Sequence, residues 1–96
     1  MARVLVLDDD PAFLMKIQEK LPEDTECLAT MNAGKAVDLL RGRTFDSILV
    51  RRRNRRFLAE LWASPSLSAD AVRALKKKVI VLKRWGWGRC RQILLL

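Results

Sequence analysis

Apolar residues along this chain fall alternately into short continuous runs and into stripes spaced three and four apart, a pattern that predicts strands alternating with helices. Residues 3 to 7, RVLVL, form a β-branched and leucine run that stops at three aspartates, as a strand buried on both faces would. In DPAFLMKIQEKL, Asp10 suits an N-cap and Pro11 the first helical turn, with Phe13, Leu14, Ile17 and Leu21 on one face. A weaker strand is expected at residues 26 to 30, and a helix at 32 to 40, capped by Asn32 and burying Ala33, Ala36, Val37 and Leu40. Residues 45 to 50, FDSILV, read as a third strand. Phe57, Leu58, Leu61 and Trp62 then share a helical face. SPSLS interrupts, Ser68 caps a short helix through Leu75, Lys76 to Lys78 sit where a helix C-terminus favours cations, and VIVL (79 to 82) is the fourth strand.

Strands separated by helices of about ten residues imply an open, mostly parallel sheet in an α/β fold. The last segment departs from this rhythm. The ten residues KRWGWGRCRQ separate Leu82 from Ile93, whereas a parallel return usually takes a dozen or more. Gly86-Trp87-Gly88 suits a hairpin tip that sends RCRQILLL back antiparallel; a very short helix with a parallel fifth strand is the competing arrangement. At 96 residues the chain is one domain.

Charge is divided unevenly. Residues 1 to 50 hold nine acids and six bases, and residues 51 to 96 hold two acids and thirteen bases. The change falls at RRRNRR, where Arg51, Arg52, Arg53, Arg55 and Arg56 follow directly on the third strand. Such an excess attracts nucleic acid, an anionic membrane or an acidic protein, and bears on association rather than on fold. Cys27 and Cys90 have no metal-ligand spacing and the chain lacks histidine, so no zinc site is expected. The opening apolar run is too short for a signal peptide and no stretch approaches transmembrane length, which predicts a cytoplasmic protein with free thiols and no membrane partner. Neither a glycine-rich phosphate loop nor a serine with a histidine to activate it is present.

Asp8, Asp9 and Asp10 end the first strand, the side of an open α/β sheet where ligands bind. RVLVLDDDPAFLMKIQEKL, followed by NAGKAVDLLRGRTFDSILV, resembles the first half of a response-regulator receiver domain of two-component signalling; the likeness covers residues 2 to 50 closely and the remainder in outline. It implies a flavodoxin-like five-stranded sheet in the order 2-1-3-4-5 and magnesium-assisted phosphoryl transfer from a histidine kinase to an aspartate ending the third strand. Asp8 and Asp9 match the family's acidic pair. At the acceptor position, however, stands Arg51, and Lys83 replaces the threonine or serine that senses the phosphoryl group. The lysine after the fifth strand and the last helix have no counterpart.

These departures are chemical. A guanidinium has no available lone pair to attack phosphorus and stays protonated, and its charge opposes a hard dication. Arg51 is therefore expected to fold onto Asp8 or Asp9, and no metal, cofactor or enzymatic activity is expected. Arg52, Arg53, Arg55 and Arg56 are expected to form a basic surface for a protein partner. The reading is a phosphorylation-independent pseudo-receiver serving as a regulatory or protein interaction module. The alternative is a non-specific nucleic-acid-binding protein in which the arginines, Lys76 to Lys78 and the loop from Lys83 to Arg91 form one continuous basic surface. Trp85 and Trp87 lie in that loop, where closing the hairpin, stacking on bases and meeting a partner are all open to them. Ile93, Leu94, Leu95 and Leu96 have no charge or proline to blunt a strand edge, which predicts a homodimer through the C-terminal strand.

Overall fold

A computed structural model of the chain describes residues 2–82. Within them, β1 (Arg3–Val6), α1 (Pro11–Lys20), β2 (Glu26–Ala29), α2 (Ala33–Gly42), β3 (Ser47–Arg51), a 3-10 turn (Arg52–Asn54), α3 (Arg56–Trp62), α4 (Ala69–Lys76) and β4 (Val79–Leu82) follow in order. The four strands are parallel and lie in the order β2-β1-β3-β4. The expected fifth strand, its direction, Lys83, Trp85, Trp87, Cys90 and the Ile93 to Leu96 interface lie outside the described residues. No helix among the described residues is long and apolar enough to cross a membrane.

The continuous apolar runs are explained by burial on both faces of the sheet. Leu5, Leu7, Ile48 and Val50 pack with Ala36 and Val37 of α2, Phe57 and Leu61 of α3, Phe45 and Leu67. Val4, Val6 and Leu49 face the other way, against Phe13 and Ile17 of α1, Leu21 and Leu82. Successive side chains of a strand point to opposite faces, so one run supplies both layers. Three helices begin at side-chain caps. Asp10 accepts from the Ala12 amide, Asn32 from Lys35 and Ser68 from Ala71.

Both ends of the third strand differ from the sequence expectation, and β1, β2 and α2 end within two residues of theirs. The third strand begins at Ser47 rather than Phe45, because Phe45 turns into the core while Asp46 clasps the start of β1. The Asp46 carboxylate accepts from the Arg3 amide (2.8 Å), and the Asp46 amide donates to the Arg3 carbonyl (2.8 Å). At its other end β3 runs through Arg51, which pairs in register with Leu82. The sheet places the basic groups differently as well. Lys78 precedes β4 at the end where Ile48 pairs with Val79, whereas Arg52 follows β3 at the opposite end. Lys76 to Lys78 therefore do not continue the arginine surface; parallel strands hold the two clusters apart.

Phe45 lies outside any strand yet is only 1% exposed. Phe45→Ala should cost about 3–5 kcal/mol through lost transfer energy and the cavity left behind. Met15→Ala, at a position 61% exposed, should stay within about 0.5 kcal/mol of wild type. Urea unfolding of both variants checks the contrast, and equal small losses would show that Phe45 is not part of the core.

Candidate functional site

β1 and β3 are neighbours, and β1 pairs with β2 on its other side. The chain thus leaves β1 in one direction and returns on the other, opening a crevice at the carboxyl ends of these two strands. Their register is Val4 to Ser47 and Val6 to Leu49, and the same offset of 43 residues sets Asp8 opposite Arg51. Strand alternation turns both side chains toward α1, the face already occupied by Val4, Val6 and Leu49.

There the two groups form a side-on fork. Arg51 Nε donates to Asp8 Oδ2 at 2.6 Å, and Arg51 Nη2 donates to Oδ1 at 2.9 Å. Each oxygen takes a second donor: the Asp10 amide reaches Oδ1 and Asn54 Nδ2 reaches Oδ2, both at 2.9 Å. An ionised carboxylate offers about four lone-pair positions, and these four donors match them. Arg51 Nη2 also approaches Asp10 Oδ2 at 3.4 Å, and the guanidinium carbon lies 4.3 Å from the centre of the Phe13 ring, a cation–π stack. Asp8 is 1% exposed and Arg51 7%, so the charges are withdrawn from water and satisfied by one another.

The protonation states follow. Burial pushes the Asp8 carboxyl up, but the hydrogen bonds from Arg51 and the Asp10 amide, with the guanidinium charge and the Asp9 amide, outweigh it and hold the carboxyl below its ordinary value. The bond to Asp8 raises Arg51 above the usual guanidinium value against the opposing effect of burial.

Of the expected alternatives, Asp8 rather than Asp9 receives Arg51. Asp9 is exposed, and its side chain makes no hydrogen bond or ion pair with other described residues. From sequence alone, Asn54 has no assigned role and Phe13 stands only on the apolar face of the first helix. Asn54 reaches Asp8 because the 3-10 turn folds the chain back over the crevice just after Arg51. A magnesium ion of the kind implied by receiver resemblance does not fit these residues. It needs near-octahedral oxygen coordination at about 2.0–2.1 Å, whereas both Asp8 oxygens are committed and a fixed cation faces them.

Arg52, Arg53, Arg55 and Arg56 are exposed and, with Ala59, line an open concavity of about 890 Å³ beside the pocket. None of the four forms an ion pair with a described residue. Arg51, buried and neutralised, is not part of this surface. The chain matches no protein-family model, no curated protein and no solved structure. The functional reading therefore rests on the fold and on these side chains.

The Asp8 shift fixes the sign of an acid dependence. A carboxyl whose folded pKa is depressed adds stability that is fully present above its unfolded value, about 3.9, and is lost as pH falls through the folded value. In Arg51→Gln the burial of Asp8 is no longer offset by the guanidinium. The variant should lose about 3–5 kcal/mol near neutral pH, and the deficit should shrink as pH falls, starting above about pH 4 where the buried, unpaired Asp8 of the variant protonates before the unfolded chain does, and continuing through the depressed wild-type value. Denaturant unfolding from neutral to acid pH measures this. A deficit independent of pH would mean that the lost stability does not come from the ion pair.

Proposed function

We propose that this chain is a phosphorylation-independent, receiver-like module that acts in regulation through binding, with Arg51 serving as a permanent internal substitute for the cation of a phospho-accepting pocket. The observation that carries this reading is the saturated Asp8 carboxylate at the crevice between β1 and β3, held by Arg51, Asn54 and the Asp10 amide. The parallel 2-1-3-4 sheet is consistent with a flavodoxin-like fold, which supports the wider resemblance. The finer assignment to signalling draws on the residues of the first fifty positions.

Phosphoryl transfer needs an in-line nucleophile and a cation to neutralise developing charge. Where that nucleophile would stand, the chain places a protonated guanidinium bonded to the nearby acid. A module of this kind holds one pocket state irrespective of phosphodonor, and its output depends on what docks beside the pocket. The exposed arginines of the turn and of α3 are the surface it offers there.

Incubation with a small-molecule phosphodonor and magnesium should leave the intact mass unchanged, whereas one added phosphoryl group per chain would contradict the reading. Millimolar magnesium should likewise leave the wild-type melting temperature where it is. Arg51→Asp should gain a magnesium response, since a ligand at about ten times its Kd stabilises the folded state by about 1.4 kcal/mol.

A further inference from the structure

We infer that Arg52, Arg53, Arg55 and Arg56 form one binding site for the phosphate backbone of a nucleic acid, read without regard to base sequence. The inference rests on the reading of this surface as the module's partner site and names the chemistry of the partner. Four observations lead to it. The four guanidinium groups line one concavity, all are exposed, and none is neutralised by a described acid. They are also placed where folding gains nothing from them. Arg55 and Arg56 open α3, whose first turn holds no acid and whose start has no side-chain cap, so their charges meet the unfavourable end of the helix dipole and repel one another.

The turn that carries them is fixed before any ligand arrives. Arg51 is held in the buried fork and Asn54 donates to the same carboxylate, which brackets Arg52 and Arg53 between two anchored residues. Fixing the backbone in advance lowers the ordering cost of binding.

The lining discriminates between partners. Among the described residues the lining contains, apart from arginine, only Ala59, and the one large apolar side chain strongly exposed among them is Met15 of α1. Protein interfaces combine arginine anchors with buried apolar or aromatic groups, and a membrane surface held by basic charge alone needs an inserted side chain or lipid for stable anchoring. Phosphate-backbone binding needs neither. It needs closely spaced cations, and arginine forks suit phosphate oxygens better than lysine does. Among the described lining residues no side chain other than arginine can pair with a base edge and no aromatic ring can stack on a base, and clustered arginine charges make their main contact with phosphate.

The test is fluorescence anisotropy of the full chain with a labelled mixed-sequence duplex of about two turns and a single strand of the same length, across a salt series. Each neutralised phosphate contributes about 0.9 to the salt slope for duplex and about 0.7 for single strand, so the four arginines should supply about 3.6 and 2.8. Their share weakens duplex binding about 150-fold between 50 and 200 mM salt. Replacing all four with glutamine should lower the slope by that amount without lowering the melting temperature, and replacing them with lysine should preserve the slope. An unchanged slope in the glutamine variant would overturn the inference. So would absence of binding at 50 mM salt, or binding to polyglutamate or anionic vesicles in preference to nucleic acid. A phosphoryl adduct in the mass measurement would instead remove the locked-module reading while leaving salt-dependent binding as it stands.

Discussion

The pair formed by Asp8 and Arg51 decides what this fold can do. It joins the carboxyl ends of the two central strands, and each partner lies where burial without the other would be costly. Buried ion pairs seldom add much stability relative to a well-packed apolar pair, because both ions must leave water. Their stronger effect is on specificity. Here the pair lies at the offset of 43 residues that also unites Arg3 with Asp46 at the opposite end of the same two strands. A slip of one residue would separate both polar clasps and turn the apolar side chains between them to the wrong face. Charge thus marks the register at both ends of a run whose hydrophobic residues, apolar on both faces, define it poorly.

The same constraint reaches the surface. Because Arg51 is drawn inward, the chain leaves β3 anchored, and the bond from Asn54 to Asp8 draws the following turn over the crevice. Arg52 and Arg53 are therefore carried by a backbone held at both ends, and Arg55 and Arg56 follow at the start of α3. In a pocket awaiting a metal and a phosphoryl group, charge balance would change with the signal. Here the balance is internal, with four donors on one carboxylate.

Much of this was legible in the residues. The continuous runs of β1 and β3, the caps Asp10, Asn32 and Ser68, and the stripe of Phe13 and Ile17 predict the elements without three-dimensional information. The choice of Asp8 over Asp9 was open in the sequence. It is settled by parity once the register is known, since positions 4, 6 and 8 share a face with 49 and 51. Asn54 depends on a 3-10 reversal that no hydrophobic period announces. The separation of Lys76 to Lys78 from the arginines arises from the direction of the strands: the exit of one parallel strand and the entry of its neighbour lie at opposite ends, however close the charges seem along the chain.

A double-mutant cycle on the pair gives the most direct test that Asp8 and Arg51 act as one unit. Asp8→Asn, Arg51→Met and the double variant are compared with wild type by urea unfolding near neutral pH. Each single change should be strongly destabilising because it strands the other partner, while the double variant should recover much of the loss, with a coupling energy of at least about 2 kcal/mol. Single effects that simply add, with coupling below about 0.5 kcal/mol, would show that the two side chains do not depend on each other and would contradict the locked pocket.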